Sequence, residues 1–251
     1  MLLFGKHSIL EAVDSGKVFE KILVQKGTNS GLISKLKEAK ANRATYFQSV
    51  PKEKLDRLIK KNIRKKEASH QGIIGFLSWI NYYRLDDVLF KIYDSGQSPL
   101  LVILDGVTDV RNFGAIARSA ECLGAHAIVI PQKGSAQINA EAMKTSAGAL
   151  NKLMVCKEKN LKSALRFLKL NGIKIYATDV VAKKELSDFS FSEPCAIVLG
   201  SEEKGVSKSV LEVCDEKMKI PQTGSISSLN VSVAAGVILY QIMQSRKVAN
   251  S

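Results

Sequence analysis

Two hydrophobic rhythms divide the chain. Over roughly the first 78 residues the pattern switches period every few residues. GKHSILEAVDSG, GLISKLKEAKAN and PKEKLDRLIKKNIRKK repeat apolar residues at helical spacing, whereas FEKILVQ, ATYFQS and GIIGFLS read as strands. This predicts a small α/β domain over 1–77. From Leu100 onward the strands become continuous apolar runs: LLVILDGV, AHAIVIP, KLMVCK, KIYATDV, CAIVLGS and EKMKIP. Helical patterns separate them at 112–123, 140–150, 161–170, 207–213 and 228–244. Strands that do not alternate are buried on both faces, so a parallel sheet covered by helices is expected over 99–251. Between the two regions, WINYYRLDDVLFKIYDSGQSPL carries aromatics and a Gly96-Gln97-Ser98-Pro99 turn signal, which predicts a connecting helix and turn, a linker over 78–98.

Charge separates the same two regions. The 251 residues hold 37 Lys and Arg against 24 Asp and Glu, a formal net charge of +13, and residues 1–80 alone hold 16 basic and 7 acidic side chains. A polyanion is the expected partner, with the N-terminal region as the electrostatic arm. The helix from Pro51 places Leu55, Leu58, Ile59 and Ile63 on one face and leaves Lys54, Arg57, Lys61, Arg64 and Lys65 largely off it, where they can track a phosphate backbone. No apolar run approaches the roughly 20 residues a membrane span needs, and the N-terminus lacks a secretory pattern, so a cytoplasmic protein is expected. Cys122, Cys156, Cys195 and Cys214 form no C-x-x-C pair and read as reduced core residues rather than as disulfides or a zinc site.

In a parallel sheet, ligands collect at the carboxyl ends of the strands. Those ends fall at Asp105–Asn112, Thr178–Val180, Gly200–Gly205 and Pro221–Asn230. None carries G-x-G-x-x-G or G-x-x-x-x-G-K-[ST], so NAD and ATP have little support, and GSEEKG is too acidic to cradle a phosphate. No G-x-S-x-G elbow is present and the three histidines are scattered, which argues against a serine hydrolase and against a histidine-bound metal. The loop GSISSLN runs into a long apolar helix, and Ser227 or Ser228 is expected to cap it.

Three ordered strings, DGVTDVRNFGAIARSAECLGAHAIVIP, IVLGSEEKGVSKSVLEVCDEKMKIP and GSISSLNVSVAAGVILY, resemble the SpoU/TrmH (SPOUT) family of RNA ribose 2'-O-methyltransferases. The likeness runs from Leu100 to Met243, and residues 1–77 resemble that family's L30e-like substrate-binding domain. It implies a C-terminal trefoil-knotted α/β domain, S-adenosylmethionine as cofactor, no metal, and a homodimer with active sites at the subunit interface. Topology rules alone favour an open doubly wound sheet. Within the family, the two-domain layout and SAQINAEAMKTSAGAL are most similar to the bacterial enzyme that methylates a guanosine ribose in 23S ribosomal RNA. A tRNA ribose and a non-catalytic RNA-binding relative stay open as alternatives.

By that resemblance Arg118, Asn112, Glu202, Ser228 and Asn230 are the catalytic candidates. Thr178, Leu199, Gly200, Ile220, Ser228 and Leu229 are expected to hold the cofactor. Asn112 and Arg118, placed just over a helical turn apart, are expected to face one cleft. Glu203 stands where the commoner family pattern G-[SN]-E-G-x-G has glycine. If that position needs a positive φ, Glu203 is disfavoured there.

Overall fold

The computed structural model describes residues 2–28, 30–39, 45–62, 69–226 and 228–249. It divides into two compact units, 1–81 and 82–251.

In the first unit, β1 (Leu2–Phe4), α1 (Lys6–Asp14), β2 (Phe19–Gln25), α2 (Ser30–Glu38), β3 (Tyr46–Val50), α3 (Lys52–Asn62) and β4 (Ile73–Leu77) build a four-stranded sheet of order β1-β4-β2-β3. β2 is parallel to β3 and antiparallel to β4, and β4 is antiparallel to β1. The period-2 rule sorts the side chains of β2 and β4 onto two faces. Ile22, Val24 and Ile73 pack with α1 and with Leu36 of α2, while Leu23 and Ile74 pack with Leu55 and Ile59 of α3. Burying that stripe turns Lys54, Arg57 and Lys61 outward, and all three are exposed. Ile63, Arg64 and Lys65, assigned to the same helix, lie outside the described residues.

The second unit begins with a strand and a helix from the segment expected to be a linker. β5 (Tyr82–Tyr83) pairs with a later strand of the sheet, and α4 (Leu85–Asp94) buries Leu85, Val88, Leu89 and Ile92 in this unit's core. There follow β6 (Leu100–Asp105), α5 (Val110–Cys122), β7 (Ala127–Pro131), α6 (Ala140–Thr145), β8 (Met154–Glu158), α7 (Leu161–Leu170), β9 (Lys174–Thr178), β10 (Cys195–Gly200), α8 (Lys208–Leu211), β11 (Glu216–Met218) and α9 (Val231–Ala249). All seven strands are parallel, in the order β11-β9-β10-β6-β7-β8-β5. From β6 the chain winds outward through β7 and β8, then crosses to β9 and returns inward to β10. The boundary between β6 and β10 is therefore a point where the winding reverses, the position at which open α/β sheets gather ligands.

β6 and β10 are buried along almost their whole length, which is why their sequences do not alternate. Leu101, Ile103, Ala196 and Val198 face α4, α7 and α8. On α9, Ala235, Ile238, Leu239 and Ile242 are buried, and this helix packs against α5 and β10. Near its carboxyl end Arg246 spends its guanidinium on backbone carbonyls, donating to Ser98 (2.8 Å), Pro99 (2.8 Å), Phe191 (3.1 Å) and Glu193 (3.1 Å). Cys156 and Cys195 are buried as expected and Cys214 is half-buried, but Cys122 is exposed at the end of α5 and does not belong to the core.

Candidate active site

Three loops at the carboxyl ends of the parallel strands build the site. After β6, Gly106 turns the chain with a φ of +78°. Asp109 then caps α5, its carboxylate accepting from the backbone of Arg111 and Asn112 (2.8 Å each). Asn112 is thereby fixed in the first turn of the helix. After β10 the chain doubles back: Gly205 N–H donates to the Ser201 carbonyl (2.8 Å) and Lys204 N–H to Ser201 Oγ (3.2 Å). A Cβ on Gly200 would lie 1.9 Å from the Gly205 carbonyl carbon, so no other residue fits this approach. Asp105 at the end of β6 accepts from Ser207 N–H (2.8 Å), which ties the two central strand ends together.

Gly205, at φ +63°, takes the left-handed position of that loop. Glu203 does not: among the described residues only Gln71 and Ala147 are non-glycine residues with positive φ. The glutamate is accommodated without backbone strain, and the difficulty anticipated from the glycine pattern does not arise.

The third loop follows β11 and delivers Asn230. Here Asn112, Glu202 and Asn230 come together, although 118 residues separate the first from the last. Glu202 Oε1 accepts from Asn112 Nδ2 (3.2 Å) and from Asn230 Nδ2, with Val231 N–H 3.4 Å away. Asn230 Nδ2 also donates to Asn112 Oδ1 (3.0 Å). One carboxylate oxygen is thus enclosed by amide donors. Glu202 Oε2 makes no hydrogen bond to a described residue.

Asn230 is also the cap of α9. Its Oδ1 accepts from Ser232 N–H (2.9 Å), and its carbonyl accepts from Ala234 N–H (2.9 Å). The expected serine cap is corrected accordingly, because the helix starts at Val231, three residues later than its apolar pattern suggests. Ser228 is exposed and Ser227 lies outside the described residues.

The other candidates sit around the cluster without joining its hydrogen bonds. Thr178 ends β9 and donates from Oγ1 to the Val198 carbonyl (3.1 Å), with Leu199 and Gly200 at the adjoining end of β10. Ile220 follows β11, and Leu229, 38% exposed, precedes the cap. Arg118 is exposed on α5, with no hydrogen bond or ion pair to a described residue. Six residues are about 1.7 helical turns, which leaves Arg118 and Asn112 roughly 120° apart around the axis. Among the described residues no hydrogen bond joins Arg118 to the Asn112 cluster. Among the described residues, no group of three or more His, Cys, Asp or Glu side chains could hold a metal ion. Asp105, Asp109 and Ser232 complete the site without having been singled out in the sequence. Only Asp109 carried a signal, as an aspartate two residues ahead of Arg111-Asn112 in a helix start.

Residues 99–240 match the SpoU rRNA Methylase family, and residues 2–83 match the RNA 2'-O ribose methyltransferase substrate binding family. The chain belongs to the SpoU/TrmH family of RNA methyltransferases. A Bacillus subtilis protein, YacO, assigned to TrmH family tRNA/rRNA methyltransferases, is 32% identical over 97% of this chain and 95% of its own length. Among solved structures, the SpoU methyltransferase AviRb from Streptomyces viridochromogenes, crystallised with S-adenosylmethionine, superposes with a TM-score of 0.60 at 23% identity, covering 99% of this chain and 91% of that one. The A. aeolicus TrmH/SpoU tRNA modifying enzyme is 29% identical with a TM-score of 0.57, over 66% of this chain and 86% of its own. SpoU/TrmH membership covers both units, since the two matched regions together span residues 2–240 with one short gap.

Proposed function

We propose that the chain is an S-adenosylmethionine-dependent RNA ribose 2'-O-methyltransferase whose substrate is a guanosine of 23S ribosomal RNA. The observation that carries the reading is the convergence of Asn112, Glu202 and Asn230 from three loops at strand carboxyl ends. S-adenosylmethionine, when bound, supplies an electrophilic methyl group on a sulfonium, so the protein's task is to position and to handle charge.

The residues present suit that cofactor. The backbone amides and carbonyls of Ile220 and Leu229 make no hydrogen bonds to other described residues and stay open to a ligand. The one charged side chain of the cluster is a carboxylate, which suits a cationic ligand and would repel a phosphate. Thr178, Leu199, Gly200, Ile220, Ser228 and Leu229 are the residues that would hold it.

Asn112, Ser228 and Asn230 offer polar groups to orient the ribose, and Glu202 fixes the two asparagines. Arg118 is exposed and bonds to no described residue, which suits a side chain that meets an RNA phosphate and stabilises the oxyanion forming as the 2'-hydroxyl loses its proton. A guanidinium is a poor proton acceptor, so this electrostatic role is physically easier than that of general base. Lys54, Arg57 and Lys61 on α3 supply phosphate contacts, with Arg64 and Lys65 assigned to the same role. An L30e-like first domain, a trefoil knot in the second and a cytoplasmic location belong to the same proposal. So does a homodimer, supported by the exposed apolar row Val233, Val237 and Tyr240 on α9.

Mapping 2'-O-methyl groups in ribosomal and transfer RNA from a deletion strain tests the substrate. Loss of one methylguanosine from 23S RNA is the expected result. Loss from a tRNA instead would favour the second reading, which the likeness to the A. aeolicus tRNA modifying enzyme supports. Calorimetry with S-adenosylmethionine tests the cofactor, and an intact protein that gives no binding heat would be a non-catalytic RNA-binding relative.

A further inference from the structure

We infer that Ser232 is a positioning residue for the methyl-transfer site, acting through Asn230. The inference rests on the function proposed above and adds a residue to its machinery. Asn230 Oδ1 accepts twice from Ser232, from its N–H at 2.9 Å and from its Oγ at 2.5 Å. Both acceptor positions of that oxygen are then filled. The opposite end of the carboxamide, Nδ2, divides its two hydrogens between Asn112 Oδ1 (3.0 Å) and Glu202 Oε1. A carboxamide turned end for end would set Oδ1 against two acceptors and Nδ2 against the Ser232 N–H, losing three of these bonds and keeping only the one to the Ser232 hydroxyl, which can turn to accept.

The direction of every hydrogen bond in the cluster follows from that one orientation. With Asn230 Nδ2 facing inward, Asn112 must present its Oδ1 to Asn230 and its Nδ2 to Glu202, as it does at 3.2 Å. Glu202 Oε1 is then closed by donors, while Oε2 is left for substrate. Ser232 touches neither Asn112 nor Glu202 through any of these bonds, yet its N–H sets the direction of the relay and its hydroxyl adds the second bond that holds Asn230 Oδ1 in place. The residue is half-buried at the second position of α9, where a hydroxyl is not needed for helix formation.

Steady-state methyl transfer to a 23S RNA transcript tests this with Ser232→Ala, Ser232→Thr, Asn230→Ala and the double variant Ser232→Ala/Asn230→Ala. Loss of one hydrogen bond predicts a kcat about five- to tenfold lower for Ser232→Ala, with KM for both substrates within about twofold of wild type. Ser232→Thr keeps the hydroxyl and restores most of the rate. In the Asn230→Ala background, removing the hydroxyl changes kcat by less than about twofold, because the group it orients is gone. An equal loss in both backgrounds, or no loss in either, overturns the inference.

If the wild-type protein transfers no methyl group to any RNA, the proposed function fails and the inference is read from NMR. The Asn230 side-chain amide signals, assigned with Asn230→Ala, should shift and exchange faster in Ser232→Ala and recover in Ser232→Thr. Signals unchanged in Ser232→Ala overturn it independently of activity.

Discussion

The two sheets differ in strand direction, and that difference decides which of them can hold a multi-loop site. In the four-stranded sheet, β2 and β3 run one way and β4 the other, so the loops leave at both ends. In the seven-stranded sheet every strand points the same way, and the loops after β6, β10 and β11 emerge together. Residues 112, 202 and 230 meet for that reason. The first unit instead offers a helix face of exposed cations carried over a small two-sided core. One unit concentrates chemistry and the other concentrates charge.

The sharpest test of this division is Arg118→Ala. It should lower methyl transfer by at least about 100-fold while leaving S-adenosylmethionine affinity within a few-fold, since the guanidinium acts on charge that develops during reaction. Radiolabelled methyl transfer alongside calorimetry measures both, and full activity would remove Arg118 from the mechanism.

Gly200→Ala comes next, because the added methyl would overlap the Gly205 backbone. A destabilisation of about 3 kcal/mol or more is expected, confined to the second unit and accompanied by loss of cofactor binding. Hydrogen exchange resolved by segment should show residues 82–251 loosened and residues 1–81 unaffected.

Replacing Lys54, Arg57 and Lys61 together by alanine probes the opposite unit. RNA affinity should fall about tenfold or more, and the slope of log affinity against log salt should flatten by about 2. Cofactor affinity should not change. An unaltered salt slope would move the phosphate contacts elsewhere.

The smallest effect concerns acid. Burial holds the His126 imidazole below its ordinary value of 6.5, the Leu100 N–H that donates to Nδ1 (3.0 Å) engages the lone pair of the neutral ring, and the Arg246 charge lowers the value further. A group with a lowered folded value binds fewer protons than the unfolded chain just below pH 6.5. The stability it contributes is therefore complete above that pH and drains away as pH falls toward the folded value. Thermal melts between pH 7 and pH 5 should show the second unit losing stability as pH falls, and His126→Asn should flatten that dependence.

Legibility in the sequence followed burial. The strands from β6 to β11 are readable because strands buried on both faces leave unbroken apolar runs, and the apolar pattern over 161–170 coincides with α7. β1 and β5, of three and two residues, are too short for any periodicity, so their membership of the sheets shows only in three dimensions. The start of α9 is ambiguous in the sequence because serines and asparagine all make good caps, and only the bonds to Ser232 and Ala234 decide for Asn230. Family likeness points to Asn112, Glu202 and Asn230, but spacing along a chain carries no trace of a contact across 118 residues. Strand order was equally hidden, since apolar runs of similar composition can be arranged in many ways.

That order has a consequence for the birth of the protein on the ribosome. β10 lies between β6 and β9, so the block formed by β5 to β8 cannot be joined to β9 until residues 195–200 have left the exit tunnel. β5, synthesised first, waits some 70 residues for its only neighbour, β8. With so many long-range pairings the second unit should fold slowly, and a nascent chain arrested before Cys195 exposes two unmatched sheet edges open to mispairing.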